Sequence, residues 1–269
     1  MMVSSAGPNR PTDARPVANR RGMLPVLQST DLGQGRKDDQ DSMQEVRGTM
    51  ARSTGGKEPD RPPRAEAKVQ PAGGPPDPER RAGFFRNLPV LETERLILRP
   101  LTLGDVEDVY AYASDPEVAR YTTWEAHRSV DDSRAFVEAQ VKAYEEDQIA
   151  PWAMVLRETG RVIGTTGFVA WAPQHARAEL GYAMGRSYWG RGLMTEAVRA
   201  VVACGFTQME LNRIEARCIP ENRASARVME KVGMRYEGLL REVMYSKGRF
   251  VDLCLYAILR RDWEAAAGR

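Results

Sequence analysis

The chain has 269 residues, room for one or two ordinary domains, but the first 88 hold 11 of the 17 prolines, 10 of the 23 glycines and no Trp or Tyr. Those 88 carry 15 Lys or Arg against 11 Asp or Glu and the remainder 24 against 26, so neither part has the dense positive charge of a nucleic-acid-binding domain. No run approaches the ~20 apolar residues of a membrane span and no secretory core opens the chain; three separated cysteines and two histidines leave little material for a disulfide framework, a metal site or a Ser-His triad.

A soluble, cytoplasmic protein without a metal is therefore expected. Residues 1–85 cannot bury enough apolar surface to offset their ordering entropy and read as a Pro/Gly/Arg-rich disordered tail. Residues 86–269 remain as one domain of roughly 180 residues. An RNA-binding role for the tail is the weaker alternative, because runs such as "RKDDQD" mix the two signs.

In chain order, "LETERLILRPL" alternates like a strand, and Thr102 with Asp105 three residues on marks a helix start. Ser129 with Asp132 repeats the device before a second amphipathic helix carrying Phe136, Val137, Val141 and Tyr144. Three strands follow in a meander, "WAMVLRE", "RVIGTTGFVAW" and "AELGYAM", the first two joined at Thr159-Gly160. Next come a glycine-led helix, the strand "NRIEARCIP", the short helix "RASARVMEKVG" closed by Gly233, and two strands around "YSKGRF". The order β-α-α-β-β-β-α-β-α-β-β predicts an α/β fold of the α+β kind: a mixed, mostly antiparallel sheet with helices on both faces. The strand-helix-strand unit spanning 178–220 implies one central parallel pair.

The glycine-led helix is the most informative element. Leu193, Ala197 and Val201, flanked by Met194, Val198 and Val202, make a broad buried stripe. Gly190 and Gly192 leave the amides of its first turn unshielded at the positive end of the helix dipole, where an anion such as phosphate binds. A glycine-assisted turn into a packed helix is the alternative. A dinucleotide fingerprint would need glycine at 195, where Thr stands, and a Walker loop would need Gly-Lys-Ser/Thr.

The stretches "AELGYAMGRSYWGRGLMTEA" and "PENRASARVMEKVGMRYEG", with Asp252 to Tyr256 in the last strand, resemble the GNAT superfamily of acyl-CoA-dependent N-acetyltransferases, in particular its RimJ/RimL-like branch of ribosomal-protein N-terminal acetyltransferases. The resemblance covers about residues 90–265 and implies acetyl-CoA as co-substrate. It implies that the amides of Arg191, Gly192, Leu193, Met194 and Thr195, led by Gly190, hold the CoA diphosphate, with Arg186 and Arg191 as further phosphate contacts. The sheet would be splayed at the parallel pair to admit the pantetheine arm, and an amide near Met184 or Gly185 would polarise the thioester carbonyl. Glu179 is the candidate general base, with a structural carboxylate paired to Arg177 as the alternative. A Tyr common seven residues after Asn222 is replaced by Met229. Ser225, three residues after Asn222, is therefore the candidate acid or thiolate-binding group, and Asn222 positions the cofactor arm.

In some members a Glu stands where this chain has Met244; Glu242 could substitute only if that strand is regular. Tyr121, Trp124, Glu125 and Trp171 are the expected aromatic and acidic mouth for a cationic amine. A protein N-terminal α-amine is the favoured acceptor: with a pKa of about 8 it is about a tenth neutral at pH 7, against well under a thousandth for a lysine of about 10.4. A small amine such as an antibiotic, polyamine or amino-acid derivative is the alternative. A non-catalytic acyl-CoA-sensing module is another, and the protein is expected to be a monomer or homodimer without membrane or nucleic-acid partners.

Overall fold

The computed structural model describes residues 82–266 and 268; the segment 1–81, most of the expected tail, lies outside the described residues. The last residues assigned to that tail belong to the fold. Phe85 is buried in the core against Trp171, and the Phe85 amide donates to Asp147 Oδ1 at 2.9 Å. An aromatic pair can anchor a segment that is otherwise too polar to pack.

The single first strand expected is two: β1 (Leu91–Glu92) and β2 (Leu96–Arg99) pair antiparallel. Thr93 closes the turn between them: its amide donates to the Leu96 carbonyl at 3.0 Å, and its hydroxyl accepts from the Leu96 amide at 3.0 Å. Helix α1 (Val106–Ala113) follows a 3₁₀ turn, and the Asp105 carboxylate accepts from the Thr102 amide at 2.8 Å, as its spacing predicts. Helix α2 (Pro116–Ala119) was not expected; Asp115 caps it through the Glu117 amide, with proline at the first position. Helix α3 (Val130–Glu145) opens on the Ser129/Asp132 capping box.

Strands β3 (Trp152–Leu156), β4 (Val162–Ala172) and β5 (Arg177–Met184) form the expected meander. Helix α4 (Leu193–Thr207) crosses over to β6 (Arg213–Cys218), which runs parallel to β5. Helix α5 (Arg223–Lys231), β7 (Arg235–Ser246), β8 (Arg249–Leu259) and a further short helix α6 (Arg260–Ala266) complete the order; Trp263 of α6 stacks on Phe206. The eight strands lie in the order β1-β2-β3-β4-β5-β6-β8-β7, every neighbouring pair antiparallel except β5·β6.

Strand alternation sorts the helices onto both faces. On β4, Phe168 points towards α4, where a side chain at Gly205 would collide with its ring, while Thr165 faces Tyr112 of α1 on the other side. All six residues of the α4 stripe are buried. A fully buried Val or Leu contributes about 1.5–3 kcal/mol, so this face fixes the helix against the sheet.

Candidate functional site

The parallel ladder between β5 and β6 is short. It runs from Arg177↔Arg213 to Leu180↔Ala216 and then stops, although β5 continues along β4 to Met184 and β6 continues along β8 to Cys218. Past Leu180 and Ala216 the two strands therefore part, and a slot opens between them. The Gly185 amide donates to the Ile163 carbonyl of the β4 side at 2.9 Å. It is committed to the sheet and cannot polarise a thioester, contrary to one of the two expected positions. Because successive amides of an antiparallel strand alternate direction, the Met184 amide points the other way, into the slot. The Met184 carbonyl is held by Trp189 Nε1 at 2.7 Å.

Beyond that turn, Gly190 and Gly192 have φ of 74° and 78°, a region that side chains other than glycine and Asn rarely enter. Gly192 is the N-cap of α4 and offers no side-chain cap; the helix ladder begins with the Glu196 amide donating to the Gly192 carbonyl at 3.1 Å. The amides of Arg191 through Thr195 precede it. Leu193, Met194 and Thr195 bury their side chains, so the backbone is what they present. Among the described residues, its chain neighbours aside, no atom lies within 4 Å of a Cβ built on Gly190. The cradle is bare and fits a diphosphate.

Sequence reasoning missed what steadies this end. The Glu196 carboxylate accepts from the Thr93 hydroxyl at 2.7 Å and from the Arg95 amide and Nε at 2.8 and 2.7 Å, while Arg95 Nη1 donates to the Arg191 carbonyl at 3.0 Å. Burial works to raise the Glu196 pKa, but these bonds outweigh it and hold the carboxyl below its usual range. A surface cavity of about 460 Å³ adjoins the helix start at Gly192 and Thr195, lined by Arg95, Arg199 and Lys231 and by Glu94 and Glu196, the last paired with Arg95. Arg186 is turned elsewhere: its Nε lies 3.3 Å from Asp115, the cap of α2. The Arg191 guanidinium lies over the Tyr188 ring at 5.9 Å.

On the slot's α1 side, Glu179 stands opposite Glu215 in the parallel register. Its partner is Arg217, at 3.6 Å, and not Arg177, which lies 4.0 Å from Glu215. Burial raises the Glu179 pKa above the ordinary carboxylate value, with Arg217 opposing and Glu215 reinforcing. On the other side, two residues past the last paired position of each strand, stand Tyr182 and Cys218. The Asn222 side chain accepts from the Ser225 amide at 3.1 Å and so caps α5. The Tyr182 hydroxyl donates to the Ser225 carbonyl at 3.1 Å and lies within hydrogen-bond distance of the Ser225 hydroxyl, at 2.9 Å.

The expected mouth is divided. Tyr121 packs with Met244 against Ile219, Val251 and Leu253, beside the open end of β6. Trp124 packs on the main core near His127, with ring centroids 5.7 Å apart, and Glu125 is exposed. Trp171 does not join them: it pairs with Ala178 at the closed end of β5 and stacks on Phe85. Glu242 has φ of 48° at a register shift between Leu240 and Met244, so the irregular strand breaks the alternation that would align it with Met244. Among the described residues no helix is long and apolar enough to cross a membrane.

Three comparisons bear on this geometry. Residues 95–235 match the model of the Acetyltransferase (GNAT) domain. The chain is 38% identical to the Uncharacterized N-acetyltransferase p20 of Bacillus licheniformis over 64% of its own length and 97% of that protein. It is 31% identical to the [Ribosomal protein uS5]-alanine N-acetyltransferase of Escherichia coli over 84 residues, 31% of this chain and 43% of that one. Among solved structures, an acetyltransferase (GNAT family) from Bacillus anthracis matches with a TM-score of 0.58 and 32% identity, over 64% of this chain and 99% of that chain. The parted parallel strands, the bare helix start beside them and the family match over the same residues lead to one conclusion: this chain belongs to the GNAT family and is an N-acetyltransferase.

Proposed function

We propose that the protein transfers the acetyl group of acetyl-CoA to the α-amine of a protein N-terminus. The observation that carries this reading is the pairing of Glu179 with Arg217 beside the slot. A carboxylate whose pKa burial raises, against a neighbouring arginine, is a better base than an exposed one but a modest base still. It serves an α-amine of pKa about 8 and is poorly matched to a lysine near 10.4. The partial likeness to a ribosomal-protein alanine N-acetyltransferase supports a peptide acceptor.

In this reading the amides of Arg191 through Thr195 receive the diphosphate, and Arg95, Arg199 and Lys231 add charge at the adjoining cavity. Acetyl-CoA, once bound, supplies an activated thioester carbonyl. The Met184 amide, directed into the slot, is the donor placed for the developing oxyanion. Glu179 takes one proton from the acceptor's ammonium and frees the lone pair for attack. Ser225 donates a hydrogen bond to the sulfur as the C–S bond breaks, and the attacking nitrogen's second proton ends on the thiolate. Asn222 holds the turn that presents Ser225. Tyr121 and Trp124 border the acceptor's entry, and Glu125 offers an exposed carboxylate to a cation.

The test is thiol release from acetyl-CoA with three acceptor sets: peptides with free N-termini, α-blocked peptides carrying lysine, and small polyamines. Turnover confined to the free N-termini is expected. Preference for blocked lysine peptides or polyamines would overturn the substrate class, and a CoA-dependent thermal shift without turnover in any set would favour a sensing module.

A further inference from the structure

Ser225 lies in the first turn of α5, where a serine hydroxyl ordinarily returns to a nearby backbone acceptor. Here it does not. Among the described residues its hydroxyl is bonded by the Tyr182 hydroxyl at 2.9 Å, and the Cys218 thiol stands nearby, its pKa pushed up to about 11, chiefly by burial. Tyr182 reaches it from β5 across the parting of the strands, since its ladder partner towards β6 would lie beyond the last pair, Leu180↔Ala216. Met229, four residues further along α5, is fully buried and has no hydroxyl to offer.

We propose that Tyr182 is a positioning residue for the leaving-group end of the slot: its phenol donates to Ser225 Oγ and turns the serine's hydrogen towards the CoA sulfur. This rests on the reading that Ser225 faces that sulfur. A hydroxyl has one hydrogen and two lone pairs, so accepting from Tyr182 leaves the Ser225 hydrogen free for a third group. The phenol's one hydrogen also reaches the Ser225 carbonyl at 3.1 Å, so the phenol donates to both oxygens in a three-centre bond that fixes the direction of approach. Burial raises the phenol pKa well above its ordinary value, so the donor keeps its proton at every pH at which the enzyme works.

The test needs no acceptor. Thiolate absorbance is titrated for the full chain bound to CoA, with the desulfo-CoA complex subtracted to remove the protein's own cysteines. A free thiol titrates at about 8.5, and the bound CoA thiol is expected below that; Tyr182→Phe should raise the midpoint by about one unit and Ser225→Ala by at least as much. The double variant should match Ser225→Ala alone, and CoA affinity in Tyr182→Phe should stay within about twofold. A Tyr182→Phe midpoint equal to the native one, with Ser225→Ala raised, would overturn the proposal and leave the Ser225 reading standing. Unchanged midpoints in both variants would remove the Ser225 reading and the proposal with it. A native midpoint no lower than that of free CoA would do the same without any variant.

Discussion

Replacing Gly192 by glutamate tests the diphosphate cradle, provided it is compared with alanine at the same position. Gly192 has φ of 78°, so any side chain costs about 1–2 kcal/mol of backbone strain. For a domain of this size that lowers Tm by roughly 2–8 °C in both variants. The nearest atom to a built Cβ is Arg95 Nη2 at 3.6 Å, an ordinary contact, so alanine should leave the cradle open. Glutamate adds a negative charge beside the diphosphate. Two unit charges about 4 Å apart at an effective dielectric near ~20 repel by about 4 kcal/mol, equivalent to about a thousandfold loss of affinity. Isothermal titration with CoA should give nearly native binding for Gly192→Ala and almost none for Gly192→Glu, the difference shrinking in high salt. Equal affinities for the two variants would refute the electrostatic argument, and native affinity for Gly192→Glu would refute the diphosphate assignment itself.

The remaining predictions concern protons and the core. If Glu179 is the base, kcat/KM rises as pH climbs through its raised pKa, and Glu179→Gln should flatten that limb while costing about 10²–10⁴ in rate. The same shift penalises the folded state above that pKa, so Glu179→Gln should raise Tm at neutral pH, with the gain vanishing below the ordinary carboxylate value. Ser225→Ala should lower kcat by about tenfold and leave the KM for acetyl-CoA nearly unchanged; equal losses in both would argue for a binding role. Asp105 is bonded by Arg99 through both carboxylate oxygens at 2.8 Å, and removing it with alanine should cost about 3–5 kcal/mol in a denaturant titration. Burial opposes its ionisation, but the Arg99 and Thr102 bonds prevail and lower its pKa. Its contribution is therefore present above the ordinary carboxylate value and lost as pH falls through the lowered one, a slope absent in Asp105→Asn.

The parts of this molecule readable in advance are those written in local pattern. The α4 stripe, the two capping boxes and the glycines before Leu193 each act within a few residues, and their spacing dictates what the backbone does there. The β5·β6 parallel pair followed from chain order and crossover geometry. The parts not readable are contacts between distant segments. Nothing near Glu179 shows that Arg217 and not Arg177 will pair with it, because that choice depends on where the parallel ladder ends. Tyr182 and Ser225 are 43 positions apart and meet only because β5 and α5 flank the same opening. Trp171 looks like a mouth residue by composition, yet register carries it to the closed end of the strand. Alternation assigned Glu242 conditionally, and a left-handed residue within the strand cancelled the condition.

The Arg95 contacts have a thermodynamic consequence. One guanidinium spans the Glu196 carboxylate and the Arg191 carbonyl, so the edge hairpin and the glycine loop are locked into each other as the chain folds. The loop's ordering entropy is spent at that moment and is not charged again when a ligand arrives. Association with CoA should then be fast and show little slow isomerisation, whereas loosening the hairpin would convert the same loop into a segment that must order on binding.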